Sequence, residues 1–77
     1  MTPVNVISPR KMVSIPRRLG FEFNRQKGSH AYHKHPDGRA VVVPMHSGED
    51  LGKGLIGEIL RSIELSVEDY EQLRRNA

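Results

Sequence analysis

A chain of 77 residues, 36% hydrophobic and 27% charged, has room for one domain with one modest core and none for a second. With no cysteine, disulfides and thiolate zinc sites are excluded, and a reducing cytosol is the natural setting. The net charge of +3 is unevenly spread: residues 1–48 carry eight Lys/Arg against two acids, residues 49–77 four against seven, so the N-terminal body suits a polyanion. No apolar run has the length of a signal-peptide core or a membrane span, so the expected setting is cytoplasmic, with no membrane partner.

Residues 1–7 show no usable periodicity and read as a flexible arm. Ser8-Pro9 is a helix start, an N-cap followed by proline in the first turn. Met12, Ile15 and Leu19 then give one apolar stripe, and Gly20 closes the helix. Pro16 conflicts with a continuous helix and predicts a kink or restart between Met12 and Pro16. Phe21 and Phe23 alternate with polar residues and predict a first strand with its aromatics toward the core. Lys27-Gly28-Ser29 is a turn. His30 to Lys34 is a second strand, with His30, Tyr32 and Lys34 on one face and Ala31 and His33 on the other. Pro36-Asp37-Gly38 is the next turn. Arg39 to Pro44 is a third strand, which Pro44 places at an edge or an end.

Met45 to Gly54 reads as loop. Leu55, Ile56, Ile59, Leu60 and Ile63 mark a helix with a broad apolar face. Ser66 caps a last helix, with acids in its first turn and Val67, Tyr70 and Leu73 facing inward. The order is α-β-β-β-α plus a short C-terminal helix: an α+β fold, a three-stranded antiparallel sheet with helices on one face. The whole of 1–77 is one domain, with a core over about 9–65 and a terminal helix over about 66–75.

The densest chemistry lies between Arg25 and Pro36, which hold three of the four histidines and three of the twelve Lys/Arg. Imidazole, cations and turn amides together suit phosphate esters. Histidine serves as acid or base because its unperturbed pKa, about 6.5, lies near working pH. His30 opens a strand directly after a turn, so its ring can reach solvent at a sheet end. Arg25, Lys27, Lys34 and Arg39 are candidate phosphate contacts, equally readable as a solvated basic face. Tyr32, on the face of His30, is placed to stack a base. His33 and His35 share a strand face and can be drawn together as metal ligands, but no carboxylate or thiolate has ligand spacing, so neither metal nor cofactor is expected.

Leu19-Gly20-Phe21, Arg25 to His30, His35-Pro36-Asp37-Gly38 and Val43-Pro44-Met45-His46, in that order, resemble the HicA (YcfA-like) toxin family. Gly54-Leu55, Ile59-Leu60 and Leu65 to Glu68 are similar to its second helix and tail, so the likeness spans roughly residues 10–73. It departs at Pro16, where relatives carry ordinary helix formers, and at Tyr32-His33. The resemblance implies a fold like the double-stranded-RNA-binding domain and an endoribonuclease, an mRNA-cleaving toxin neutralised by a HicB-type antitoxin. It also implies His30 as the active histidine; in that reading Lys27, Gly28 and Ser29 organise phosphate, and His46, placed as in the family's Pro-x-His, either supports the site or bonds backbone. The residues themselves leave two other readings open: a non-catalytic RNA-binding module on the same basic face, and a module docking that face on an acidic protein.

Overall fold

Ser8 opens the first helix as its type dictates: its hydroxyl accepts the Lys11 amide at 3.2 Å, and Pro9 fills a first-turn position where its missing N–H is no loss. The computed structural model describes residues 3–45 and 49–76. In it the chain runs α1 (Pro9–Arg18), β1 (Glu22–Lys27), β2 (His30–Lys34), β3 (Ala40–Pro44), α2 (Lys53–Ile63) and α3 (Val67–Arg75). The restart expected at Pro16 does not occur. Pro16 falls in the last turn of α1, where one helical hydrogen bond is lost, and its ring is buried. Gly20, at φ +98°, then reverses the chain: its N–H reaches the Arg17 carbonyl, and the Phe21 N–H reaches the Pro16 carbonyl at 3.0 Å.

The strands form an antiparallel sheet in the order β1-β2-β3, with Pro44 closing the edge strand. Ala31, His33, Val41 and Val43 are buried on one face. That face meets Met12, Ile15, Ile56, Ile59, Leu60, Ile63 and Tyr70, so the helices cover one side of the sheet. No helix among the described residues is long and apolar enough to cross a membrane.

The alternation read through Phe21, Phe23 and Arg25 breaks at Asn24. Phe23 pairs with His33 and Arg25 with Tyr32, leaving Asn24 as the extra residue of a bulge. Arg25 is thereby turned to the outer face beside Tyr32. Phe21 is buried, but Phe23, expected in the core, is 57% exposed on the edge strand, edge-on to the His33 ring at 5.7 Å.

Within the segment read as a flexible arm, Asn5 and Ile7 are tied down. Ile7 lies in the core and its carbonyl accepts the Leu51 amide at 2.9 Å. Asn5 donates through its backbone and side-chain amides to Glu71 at 2.9 and 2.8 Å, and its carbonyl accepts the Tyr70 hydroxyl. Arg74 completes the site with bonds of 3.0 and 2.8 Å to Glu71. The Arg74 guanidinium, helped by the Asn5 amides, holds the buried Glu71 carboxyl down at about 2, while burial pushes the Tyr70 phenol up to about 12.

Two predictions follow from these contacts. The unfolded Glu71 carboxyl, near 4.5, takes up a proton before the folded one, so its contribution is complete above 4.5 and is lost as pH falls toward 2. Acid unfolding followed by circular dichroism should therefore be flatter over that window in Glu71→Gln than in wild type, with wild type the more stable at pH 7 by about 1–3 kcal/mol. At the end of α2, Glu64 holds a left-handed conformation (φ 58°) that suits glycine, with the Leu65 N–H bonding the Leu60 carbonyl at 2.9 Å. Glu64→Gly is expected to raise stability by about 0.5–1 kcal/mol in urea unfolding, since relief of a strained φ outweighs the added chain entropy.

Candidate active site

Two residues, Gly28 and Ser29, join β1 to β2. Gly28 has φ +59°, Ser29 does not share a positive φ, and that pair fits the type II′ hairpin turn, which calls for glycine first. The tight turn places Lys27 opposite His30 on the outer face, with Arg25 opposite Tyr32 one step further along. The Arg25 guanidinium stands 5.0 Å from the centre of the Tyr32 ring. The Gln26 side-chain amide donates to the Gly28 carbonyl at 3.1 Å and steadies the turn.

The three described histidines have separate fates. His33 is 3% exposed on the inner face, and its Nδ1 has no hydrogen-bond partner among the described residues. Burial, with the Arg17 charge adding to it, holds its pKa below the usual 6.5. His35 has both nitrogens engaged: Nε2 lies 3.2 Å from the Leu19 carbonyl, and Nδ1 lies 3.1 Å from the Asp37 amide and 3.0 Å from its carboxylate. Its ring packs edge-on against Phe21 at 5.0 Å and stands where a Cβ on Gly20 would meet Nε2 at 2.9 Å. His30 is exposed, and its ring bonds to nothing among the described residues. His46, the other histidine read as supporting the site, lies outside the described residues.

The basic residues divide as well. Lys27, Arg25 and Lys34 share the outer face with His30, and neither lysine forms an ion pair among the described residues. Lys34 stands four residues from His30 along β2, roughly 13 Å away at strand rise. Arg39 lies at the opposite end of the sheet and is engaged there. Its backbone and Nε donate to Asp37 at 3.0 and 2.8 Å, its Nη1 donates to the Ile63 carbonyl, and its guanidinium stands 5.1 Å from the Phe21 ring centre. The Arg39 amide, then its guanidinium, hold the Asp37 carboxyl below the ordinary range. Nor are His33 and His35 joined as a metal site: no group of three His, Cys, Asp or Glu residues with ligand geometry occurs among the described residues.

His30 lines two hollows. One, of about 280 Å³, is bounded by Pro9, Pro44, Glu49, Asp50 and the start of α2 at Gly52, where no side chain caps the first turn. The other, of about 480 Å³, follows the open edge of β3 between Tyr32 and Val42 on one side and Leu55, Glu58 and Ser62 of α2 on the other. The α2 contributors were not visible as site residues in the sequence, where they occupy the polar side of a helix whose apolar side is core; no motif marks them. The site therefore joins an exposed imidazole, flanking cations and turn amides, the groups that hold a phosphodiester and move a proton beside it.

A family model described as HicA toxin of bacterial toxin–antitoxin matches residues 9–65, about three quarters of the chain. None of the curated proteins compared with the chain matches it.

The buried His33, with its Nδ1 unpartnered among the described residues, carries its own prediction. In the unfolded chain it takes up a proton near 6.5, above its folded value, so stability falls as pH drops below about 6.5 and keeps falling through the folded pKa. His33→Leu is expected to remove that portion of the pH dependence and to stabilise the fold at pH 7 by about 1 kcal/mol, measured by urea unfolding at pH 5, 6 and 7.

Proposed function

Because the chain belongs to the HicA toxin family of bacterial toxin–antitoxin systems, we propose that it is an endoribonuclease that cleaves mRNA with His30 as its general base or acid. The observation that carries this reading is the division of the histidines: His33 is buried, His35 is bonded through both nitrogens, and His30 stands exposed beside Lys27 on an open basic face. In the cleavage step His30 takes the ribose 2′-OH proton as the 2′-oxygen attacks the adjacent phosphorus. The bond from phosphorus to the 5′-oxygen breaks, the departing oxygen takes a proton from water or from a protonated imidazole, and a 2′,3′-cyclic phosphate and a 5′-hydroxyl remain. Lys27 and the Gly28 and Ser29 amides stabilise the charge that builds on the phosphate oxygens, and Arg25 and Lys34 hold neighbouring phosphates. Arg39, engaged with Asp37 and Ile63, has no place in this step.

Membership of the family brings an antitoxin partner with it. In this reading the partner is a HicB-type protein that silences the toxin by covering His30, and the activity belongs to the cytoplasm, where mRNA is met. The alternative, a module that binds RNA without cutting it, draws on the same open basic face.

Induced expression of wild type and His30→Ala, with growth and total mRNA integrity followed together, separates the two. Arrest with mRNA loss in wild type alone is the expected result, and purified His30→Ala is expected to lose at least 100-fold in cleavage while binding RNA within about threefold of wild type. Intact mRNA in both, with folded protein present, overturns the nuclease reading and leaves the binding module.

A further inference from the structure

We infer that the groove between the β3 edge and α2 is a subsite for one unpaired nucleobase beside the cleaved bond, and that Glu58 selects a base rich in N–H donors, guanine above all. This rests on the ribonuclease reading, because His30 forms one end of the groove. Its walls are apolar, from Tyr32, Val42, Pro44 and Leu55, and its volume of about 480 Å³ accepts a purine nucleoside. The lining matches how single-stranded RNA is read, with a base lifted from its neighbours, packed against an aromatic ring and bonded along its Watson–Crick edge.

Charge decides which base. Cations hold the phosphate track along the outer face, and a carboxylate beside a polyanion is unfavourable unless a donor meets it. Glu58 is exposed and forms no ion pair among the described residues. Its neighbour Arg61, one turn along, leans over Gly57 instead, with Nη1 3.7 Å from where a Cβ of that glycine would lie. Ser62 donates its hydroxyl to the Glu58 carbonyl at 3.1 Å, which leaves the serine oxygen as a second acceptor facing the groove. Guanine offers N1–H and N2–H side by side and can give both to one carboxylate. Cytosine and adenine offer a single amino group, and uracil a lone imide N–H. Three residues of helix separate Leu55, at the His30 end, from Glu58, about 4.5 Å along the axis.

The test uses wild type, Glu58→Gln and Glu58→Ala on 2′-O-methyl oligonucleotides carrying a single ribose, with each of the four bases placed in turn on either side of it. The expected result is a preference of about tenfold in kcat/KM for guanine on one side, reduced to threefold or less in both variants through a fall in kcat/KM on the guanine chain that the uracil chain does not share. Equal rates on all four bases in wild type, or a loss in the variants that is the same for every base, overturns the subsite. Binding of fully 2′-O-methylated chains, measured by fluorescence anisotropy, separates this inference from the one beneath it. A guanine preference that Glu58→Gln abolishes, in a protein that cuts none of the chains, upholds the subsite and rejects the nuclease. Base-independent binding in wild type, with Glu58→Gln weakening only the antitoxin complex, assigns the groove to a protein segment and overturns the subsite.

Discussion

Along β2, side chains must alternate between the two faces of the sheet, and Ala31 and His33 have to point into the helices because Val41 and Val43 beside them do. His30, Tyr32 and Lys34 are thereby sent to the other side, where no helix covers them. A slip of one residue in register would bury His30 and Lys34 and expose the core face. The register is therefore fixed by core packing and also fixes the candidate chemistry. The hairpin turn at Gly28-Ser29 supplies the second part of that constraint, setting Lys27 directly opposite His30.

The ends of the sheet serve different purposes. The end bearing Pro36-Asp37-Gly38 is knitted into the body: Arg39 grips Asp37, ties the final carbonyl of α2 and stands over Phe21, while His35 seals the exit of α1 at Leu19 and Gly20. The end bearing Gly28-Ser29 holds Lys27 and His30, neither with an ion-pair or side-chain hydrogen-bond partner among the described residues, beside two hollows. Stabilising contacts are concentrated where no ligand is proposed, and unpaired polar groups where one is. The tie between Asn5, Tyr70, Glu71 and Arg74 adds a third anchor, pinning α3 to the N-terminal segment on the side away from the open face.

Much of this was legible in the sequence, for identifiable reasons. The Ser8-Pro9 and Ser66 caps, the alternation from His30 to Lys34, the two turns and the apolar face of α2 are local signals, each set by residues within a few positions of one another. What was illegible depends on distant partners. The bulge at Asn24 leaves no local mark, yet it moves Arg25 to the outer face, and Phe23 is exposed because β1 lies at the sheet edge. The N-terminal segment has no periodicity that would betray the hold of Glu71 and Tyr70, more than sixty positions away, on Asn5. Arg39 looked like its fellow cations until its three partners were in place, and Glu58 and Ser62 belong to the groove only because α2 packs beside β3. The family resemblance supplied what the residues alone left open, a reason to prefer His30 over its neighbours, while the burial of His33 and the bonding of His35 through both nitrogens came only with the packing.

The central claim is that RNA lies across the outer face at the Lys27–His30 turn. Its most direct measurement is the mapping of amide chemical-shift changes by NMR as a 2′-O-methyl oligonucleotide, which resists cleavage, is titrated into the isotopically labelled protein. The account predicts the largest changes at Lys27, Gly28, Ser29 and His30, with Arg25 and Tyr32 next and little at α1 or α3. Changes centred on α1 and α3, with the Gly28 turn silent, would contradict it.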